Sequence, residues 1–587
     1  MNNFNDARKE AYNKLSIHED IKVIDKNLLE KGFGDFAEVW EVKKEITDTN
    51  GIGKELTFYL CLRNSFPLSL PSLYLTKHSY DLVKYLPHVN SSQLICTYDS
   101  ETTRTNPNNP YGIVLACLQR GRAIIEAGLR KENLKDFEDE FLSYWECQFE
   151  EKLKVNESIM SLIEESPLTV EVRLLQLEKK LFGFSHILYQ ESIENARFLK
   201  FIEDAARKYK EVELLYIDEL DISNIPPFDI SNRDAINKIG GHSKERHREL
   251  IGKLNKSGRL FVLFKKTVKG EDHYLGWFHS NPNTSQAGFR PGTLTKYSVL
   301  TKMAQSVEKV ERISPRKYTN KRINRRTAGL DNINNYKFLI VGVGSIGSNL
   351  LYFLNSLSYP ELRLIDYDSI TIENLGRHLL GMNYLNFPKT IGAKNHLLSI
   401  NPKQSILTKE LELTEVYEND KTFINDSDFL FIVTGKLNIE NWLAEKIKQG
   451  EINKPAFIIW VEPYLAGGHC IYIHPQDFKY SEYYHTLEGS TFFNNNIIND
   501  KEYNEKNELI TLKEAGCQSS FTPYSGCNVV LFLSALYPTI LKIIRGNCKK
   551  SFCISWVGDK EILNNLGLEL SDFGNKHNSF DLVEYGI

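Results

Sequence analysis

The feature that most constrains this chain lies at residues 337–357. Residues 337–343 read KFLIVGV, an apolar run rich in branched side chains that fits a strand buried on both faces. It leads directly into Gly342-Val-Gly344-Ser-Ile-Gly347 and then the apolar helical stretch SNLLYFLNSL. This order predicts a parallel α/β unit. Its glycines let the backbone approach a phosphate, and the helix N-terminus offers unpaired N–H donors to the anion. The next strand, Leu362–Ile365, ends at Asp366, about 20 residues past the glycines, where a carboxylate can bond a ribose hydroxyl.

That fingerprint suits NAD as well as ATP, and the residues that follow separate the two. After Asp366-Tyr-Asp368 come Asn374-Leu-Gly-Arg377-His378, then Asn-Phe-Pro-Lys389 at the head of the helical stretch TIGAKNHLLSINP. A hydride-transferring fold has no need of an amide and a cation so placed. A triphosphate site has: a guanidinium is a planar fork for phosphate oxygens, and an ammonium adds a point charge. Lys394 is the alternative lysine.

At 587 residues the chain exceeds one core and calls for three or four units. Changes of texture divide it at 1–155, 156–320 and 321–587. The first begins with an amphipathic helix, followed by strand-like runs at 36–42 and 56–62 and by helices, one carrying Trp145. The second alternates short strands (213–217, 260–265, 274–279) with helices, and 310–326 reads as a basic helical or loose connector. A net charge of -4 argues against a dedicated nucleic-acid binder. The start lacks an apolar signal core and no run of 18 apolar residues occurs, so neither a secretion signal nor a membrane span is expected. Nine cysteines without a CxxC pair suit a reduced, cytoplasmic chain.

From Val341 to Pro402 the chain resembles the adenylation domain of the ThiF/MoeB and ubiquitin-activating-enzyme superfamily, over about 250 residues in all. The resemblance implies ATP and Mg2+. By it, Gly342, Gly344 and Gly347 form the nucleotide turn, and Asp366 is the ribose acid. Asn374, Arg377 and Lys389 are then the triphosphate ligands, although Lys389 lies one residue closer to Arg377 than in MoeB-like members. One departure stands out: the strand at 428–434 ends in Thr434-Gly435, where the family has a magnesium-binding acid. Asp368 is the nearest replacement. The segment Trp460 to His469 reads as core strand and turn, with no chemistry assigned.

Activation that continues beyond the adenylate needs a thiolate to take the acyl group. Cys517, in GCQSSFTP after the polar stretch 502–513, resembles the catalytic loop of activating enzymes. Cys527, opening an apolar helix, reads as a packing residue but remains the alternative nucleophile. Cys61, Cys117, Cys470, Cys548 and Cys553 read as buried or inert. In the first region, Pro87-His88 followed eight residues later by Cys96 after Ile resembles the HPN-and-cysteine arrangement of ubiquitin-conjugating enzymes, with His88 in place of the asparagine. An imidazole can also donate a hydrogen bond to an oxyanion. Gly240, Gly241, His242 and His247 read as a solvated helix. Arg322, Arg325 and Arg326 are candidates for an arginine reaching a neighbouring subunit's phosphates.

The expected architecture is therefore α/β. An N-terminal α+β conjugating-like domain and an α+β linker domain precede a C-terminal Rossmann-like adenylation domain. The order resembles fused activating–conjugating proteins of bacterial CBASS anti-phage operons. By that resemblance the substrate is a protein with a free C-terminus, a cGAS-like nucleotidyltransferase, activated by a homodimer. The rivals are a sulfur-carrier adenylyltransferase, a non-catalytic nucleotide-binding scaffold and, more distantly, an NAD oxidoreductase.

Overall fold

Eight strands form the sheet that carries the C-terminal half, and their order explains where a ligand can bind. The strand Phe338–Val341 lies at its centre, flanked in parallel by Leu362–Ile365 on one side and Phe429–Ile432 on the other. Ile406–Lys409 and Ala456–Val461 extend the parallel part outward, and Gly467–Ile473, Phe552–Val557 and Leu582–Tyr585 complete it in antiparallel fashion. The strand order reverses at Phe338–Val341, so the loops at its carboxyl end diverge and leave a crevice. All four residues of the three central strands are buried, as a sheet covered on both faces requires.

The structure, a computed structural model, describes residues 4–26, 29, 33–47, 53–90, 92–146, 158–205, 207–222, 230–257, 260–279, 307–324, 336–355, 361–487, 489–513, 520–546 and 548–585. Two units divide the chain, 1–190 with 208–318, and 191–207 with 319–587.

In the second unit, helices Ser345–Asn355 and Gly526–Gly546 cover one face of the sheet. The latter is long and apolar enough, by composition alone, to cross a membrane. It buries Val529, Phe532, Leu533, Leu536, Ile540 and Ile543 in the core shared with Phe338 and Ile340, each contributing about 1.5–3 kcal/mol of apolar burial. It is a core helix.

The first unit starts with helix Phe4–Leu15 and a five-stranded antiparallel meander from Asp20–Ile24 to Leu94–Ile95. Helix Pro110–Leu129 packs on the meander through Val114, Cys117, Leu118 and Ile125. Asn109 caps its first turn by accepting from Gly112 N–H at 2.9 Å, which satisfies a donor the helix cannot. Two further sheets, of five and four strands, follow. Within the expected connector, the described residues 310–324 differ from a loose or purely helical segment: Glu311–Ile313 pairs antiparallel with Gly276–Phe278, Arg316–Lys317 pairs parallel with Met160–Ser161, and Asn320–Asn324 is helical. Their strand character depends on partners far away in sequence.

Candidate functional site

The crevice at the carboxyl ends of the central strands is lined by Gly342, Gly344, Asp366, Asp368, Lys389 and Thr434. Asp366 is held by two backbone donors, Val343 N–H to Oδ2 at 2.6 Å and Asp368 N–H to Oδ1 at 2.8 Å. Burial raises its pKa, opposed by those donors and by the Lys389 charge. The apolar side chains of Ile365, Leu411, Leu413 and Ile439 form the neighbouring wall, which suits the face of an adenine ring beside its ribose. Gly342 adopts φ +91, a left-handed conformation open to glycine. A Cβ on Gly347 would lie 1.9 Å from Gly342 O, whereas one on Gly344 meets nothing within 4 Å. The outer two glycines are therefore set by packing, and Gly344 faces the space left for a ligand.

The crevice continues past Gly344 to Asn374, Arg377, Lys389, Gly435 and Tyr524. Lys389, the first residue of helix Lys389–Ile400, is 7% exposed, and its Nζ donates to Asp368 Oδ2 at 2.8 Å. Lys389 lines the crevice and Lys394 is absent from its lining. Asn374 Oδ1 accepts from Thr371 N–H at 3.0 Å, so its oxygen is engaged in capping that short helix and its amide nitrogen is the group left for a ligand. Asn349 Nδ2 donates to Arg377 O at 3.0 Å, and Ser345 Oγ donates to it at 2.9 Å, so the glycine-turn helix fixes the arginine's backbone. Arg377 Nη1 donates to Thr522 O at 3.1 Å and its guanidinium lies 4.7 Å over the Tyr524 ring. His378, buried, donates from Nε2 to Val343 O at 2.7 Å and accepts Leu380 N–H at Nδ1. Burial pushes its pKa down to about 4, so it is a neutral brace beneath the glycine turn.

For magnesium, the residues present offer Asp368, whose side chain is about half exposed and opposes Lys389. Gly435, at φ +62, brings no ligand. Among the described residues no group of three or more His, Cys, Asp or Glu could hold a metal by itself. One carboxylate beside a triphosphate is nevertheless the usual setting for Mg2+, which keeps most of its water and takes phosphate oxygens. The site therefore fits the ion as a companion of the nucleotide.

Cys517 lies outside the described residues; on either side of it Leu512–Lys513 and Ser520–Phe521 pair antiparallel. Cys527 is a correction: it is exposed, not packed, because Val529, Phe532 and Leu533 take the inward face of its helix. Cys61, Cys117, Cys470 and Cys553 are buried as expected, and burial pushes the Cys117 thiol up to about 11. Arg325 and Arg326 also lie outside the described residues.

The first unit presents a second thiol. Cys96 is exposed and its N–H donates to His88 O at 2.8 Å. His88 adopts φ +62. Its ring is clamped between two acids, Nδ1 at 2.6 Å from Glu140 Oε1 and Nε2 at 3.0 Å from Asp136 Oδ2. Two carboxylate partners require both nitrogens to carry protons, and the hydrogen bond to Glu140 raises the pKa against the effect of burial. His88 is therefore an imidazolium whose donors are both engaged, and donation to an oxyanion requires it to exchange one of them. Tyr144 OH accepts His88 N–H at 2.7 Å and donates to Glu140 Oε2 at 2.8 Å. Arg312 Nη1 holds Tyr144 O at 2.9 Å, and the neighbouring Trp145 donates to Ile313 O at 3.1 Å. Sequence reasoning missed Asp136, Glu140, Tyr144 and Arg312, which lie 48 to 168 residues from their partners. It also missed the buried Glu462, whose Oε1 lies 2.7 Å from His469 Nε2.

Comparison with known proteins gives the class. Residues 318–488 match the ThiF family and residues 36–154 match Prokaryotic E2 family B. The chain thus joins a prokaryotic E2-type domain to a ThiF-family domain of the ThiF/MoeB/ubiquitin-activating superfamily. It is 25% identical over 174 residues to the ATP-dependent ubiquitin transferase-like protein Cap2 of Enterobacter hormaechei subsp. hoffmannii (strain UCI 50), covering 29% of this chain and 29% of that protein. It is 28% identical over 148 residues to ubiquitin-like modifier-activating enzyme 5 of Caenorhabditis elegans, covering 23% and 34%. Over 116 residues it is 33% identical to the molybdopterin-synthase adenylyltransferase of Haemophilus influenzae, covering 20% and 47%. The chain therefore spans between 29% and 47% of the length of these relatives.

Proposed function

We propose that this protein uses ATP to adenylate the C-terminal carboxylate of a protein substrate and passes the acyl group through cysteine thioesters to an amine. The observation that carries the reading is the meeting of Asp366, Lys389 and Arg377 along one crevice at the switch point of the sheet. In the first step a carboxylate oxygen attacks the α-phosphorus and pyrophosphate leaves. Asp366 holds the ribose, while Lys389 and Arg377, with Asn374, take phosphate oxygens whose charge grows during attack. Magnesium, when bound, supplies further charge compensation for the departing pyrophosphate. A thiolate then attacks the acyl carbon and AMP leaves; Cys517 is assigned this role. Cys96 receives the acyl group by exchange of one thioester for another, and an amine displaces the Cys96 thiolate to leave an amide.

Three features extend the reading. The order of conjugating-type and activating domains favours a cGAS-like nucleotidyltransferase as the activated protein, in bacterial anti-phage defence. The exposed apolar side chains of Val530 and Leu531 on helix Gly526–Gly546 offer a contact for a homodimer. A cytoplasmic location suits chemistry that depends on free thiols and ATP.

The test is to incubate the full chain with ATP, Mg2+ and a pool of peptides ending in free carboxylates, then map thiol-reducible adducts by mass spectrometry. ATP-dependent adducts on Cys517 and Cys96 are expected. With Cys96→Ala the Cys517 adduct persists and transfer to an amine stops; unchanged transfer would favour the sulfur-carrier adenylyltransferase instead.

A further inference from the structure

Beyond the phosphate end the crevice opens into a chamber walled by Trp460, Tyr484, Phe493 and Tyr503, and two carboxylates line it. They differ in one respect. Glu462 is saturated: Oε1 pairs with His469 Nε2 and accepts Ile497 N–H, both at 2.7 Å, while Oε2 accepts Ile498 N–H at 3.0 Å and Tyr503 OH at 3.2 Å. Glu440, in the first turn of helix Leu437–Lys448, is only 3% exposed, and its Oε1 has no hydrogen-bond partner among the described residues. Two phenols lie close enough for its charge to be felt, yet neither serves it. Tyr484 bonds Tyr480, and Tyr480 OH donates to Asn441 Oδ1 at 2.9 Å. A buried acceptor without a donor destabilises the fold. A chain that keeps one where leucine would pack holds it for something that arrives later.

We propose that Glu440 determines substrate specificity by accepting a hydrogen bond from a donor-bearing side chain near the end of the tail whose carboxylate is activated. The proposal rests on the adenylation reading and names the chemistry of its substrate. The tail's terminal carboxylate lies toward Arg377 and Lys389, its apolar atoms lie against the aromatic walls, and its donor answers Glu440. Burial alone pushes the Glu440 carboxyl up to about 7, so at neutral pH both protonation states are populated, and each retains an acceptor oxygen. A lysine, arginine, glutamine, asparagine or serine side chain suits that oxygen; an aspartate or glutamate does not.

The test is ATP–pyrophosphate exchange driven by a positional-scanning library of hexapeptide acids, run on the wild-type chain, Glu440→Gln and Glu440→Leu. The wild type selects donor side chains at one tail position. Glu440→Leu loses that selection and raises the KM of the preferred peptide about tenfold, the worth of one buried hydrogen bond, with a much smaller change in the KM for ATP. Glu440→Gln, which keeps a carbonyl acceptor, retains most of the selection. Because the free protein carries an unanswered acceptor, Glu440→Leu also melts several degrees above the wild type. An identical peptide profile for the wild type and Glu440→Leu, or a lower melting temperature for that variant, overturns the proposal. Exchange that no peptide supports in the wild type overturns the adenylation reading itself.

Discussion

The three glycines of the turn fill different roles, and single substitutions separate them. A Cβ at Gly347 would stand 1.9 Å from Gly342 O, a backbone atom that cannot move aside. Gly347→Ala therefore costs at least about 3 kcal/mol, read as a lower melting temperature and poor recovery of folded protein. Gly344→Ala has room for its methyl group in the empty chain but places it where a phosphate must approach. It leaves the melting temperature unchanged and weakens a non-hydrolysable ATP analogue at least about tenfold in a calorimetric titration. Glu440 gives a pH signature. Its carboxyl ionises near 4.5 in a free chain and at about 7 in the fold, so the unfolded state loses the proton first. Its contribution to stability is present below 4.5 and is lost as pH rises toward 7. The phenols facing it, Tyr480 and Tyr484, are pushed up by burial and stay neutral, and Glu462 is saturated by its own donors. The stability margin of Glu440→Gln over the wild type therefore opens between pH 4.5 and about 7, reaching the order of 3 kcal/mol in denaturant titrations.

At the scale of elements, the short helices Lys135–Asp139 and Phe141–Glu146 supply Asp136 and Tyr144, and Glu140, the capping residue between them, completes the set that surrounds His88. Tyr144→Phe removes the acceptor for His88 N–H and the donor to Glu140, loosening the turn that orients Cys96. Thioester discharge to an amine slows about tenfold in a single-turnover assay, while loading of Cys96 is largely retained. The raised His88 pKa makes the clamp's contribution complete below 6.5 and lost as pH climbs through the folded value. The stability difference between wild type and His88→Gln therefore narrows at alkaline pH. The strand–turn–helix from Phe338 to Asn355 was legible because its signal is local: an apolar run, three glycines and an apolar helix. Residues 310–324 were not, since Glu311–Ile313 becomes a strand only by pairing with Gly276–Phe278. Cys527 was misplaced because an apolar helical run does not say which side its first residue faces. Glu440 was invisible for the opposite reason: a glutamate early in a helix reads as solvent-facing, and only the fold buries it.

For the whole molecule, the sequence pointed to residues that the fold brings to one crevice, Gly342, Gly344, Asp366 and Lys389, and to the exposed Cys96 beside His88, because strand ends and glycine turns place side chains by rule. It left unread the acids around His88 and the chamber at Glu440, which depend on contacts across tens to hundreds of residues. We propose that the crevice grips a triphosphate in order to activate a carboxylate. ATP–pyrophosphate exchange, driven by the pooled peptide acids, tests it most directly in the wild type and in the Arg377→Met, Lys389→Met double variant. Robust exchange is expected in the wild type and a loss of at least about a thousandfold in the variant, since two donors to the transition-state charge are gone. Exchange that survives intact in the variant would contradict it.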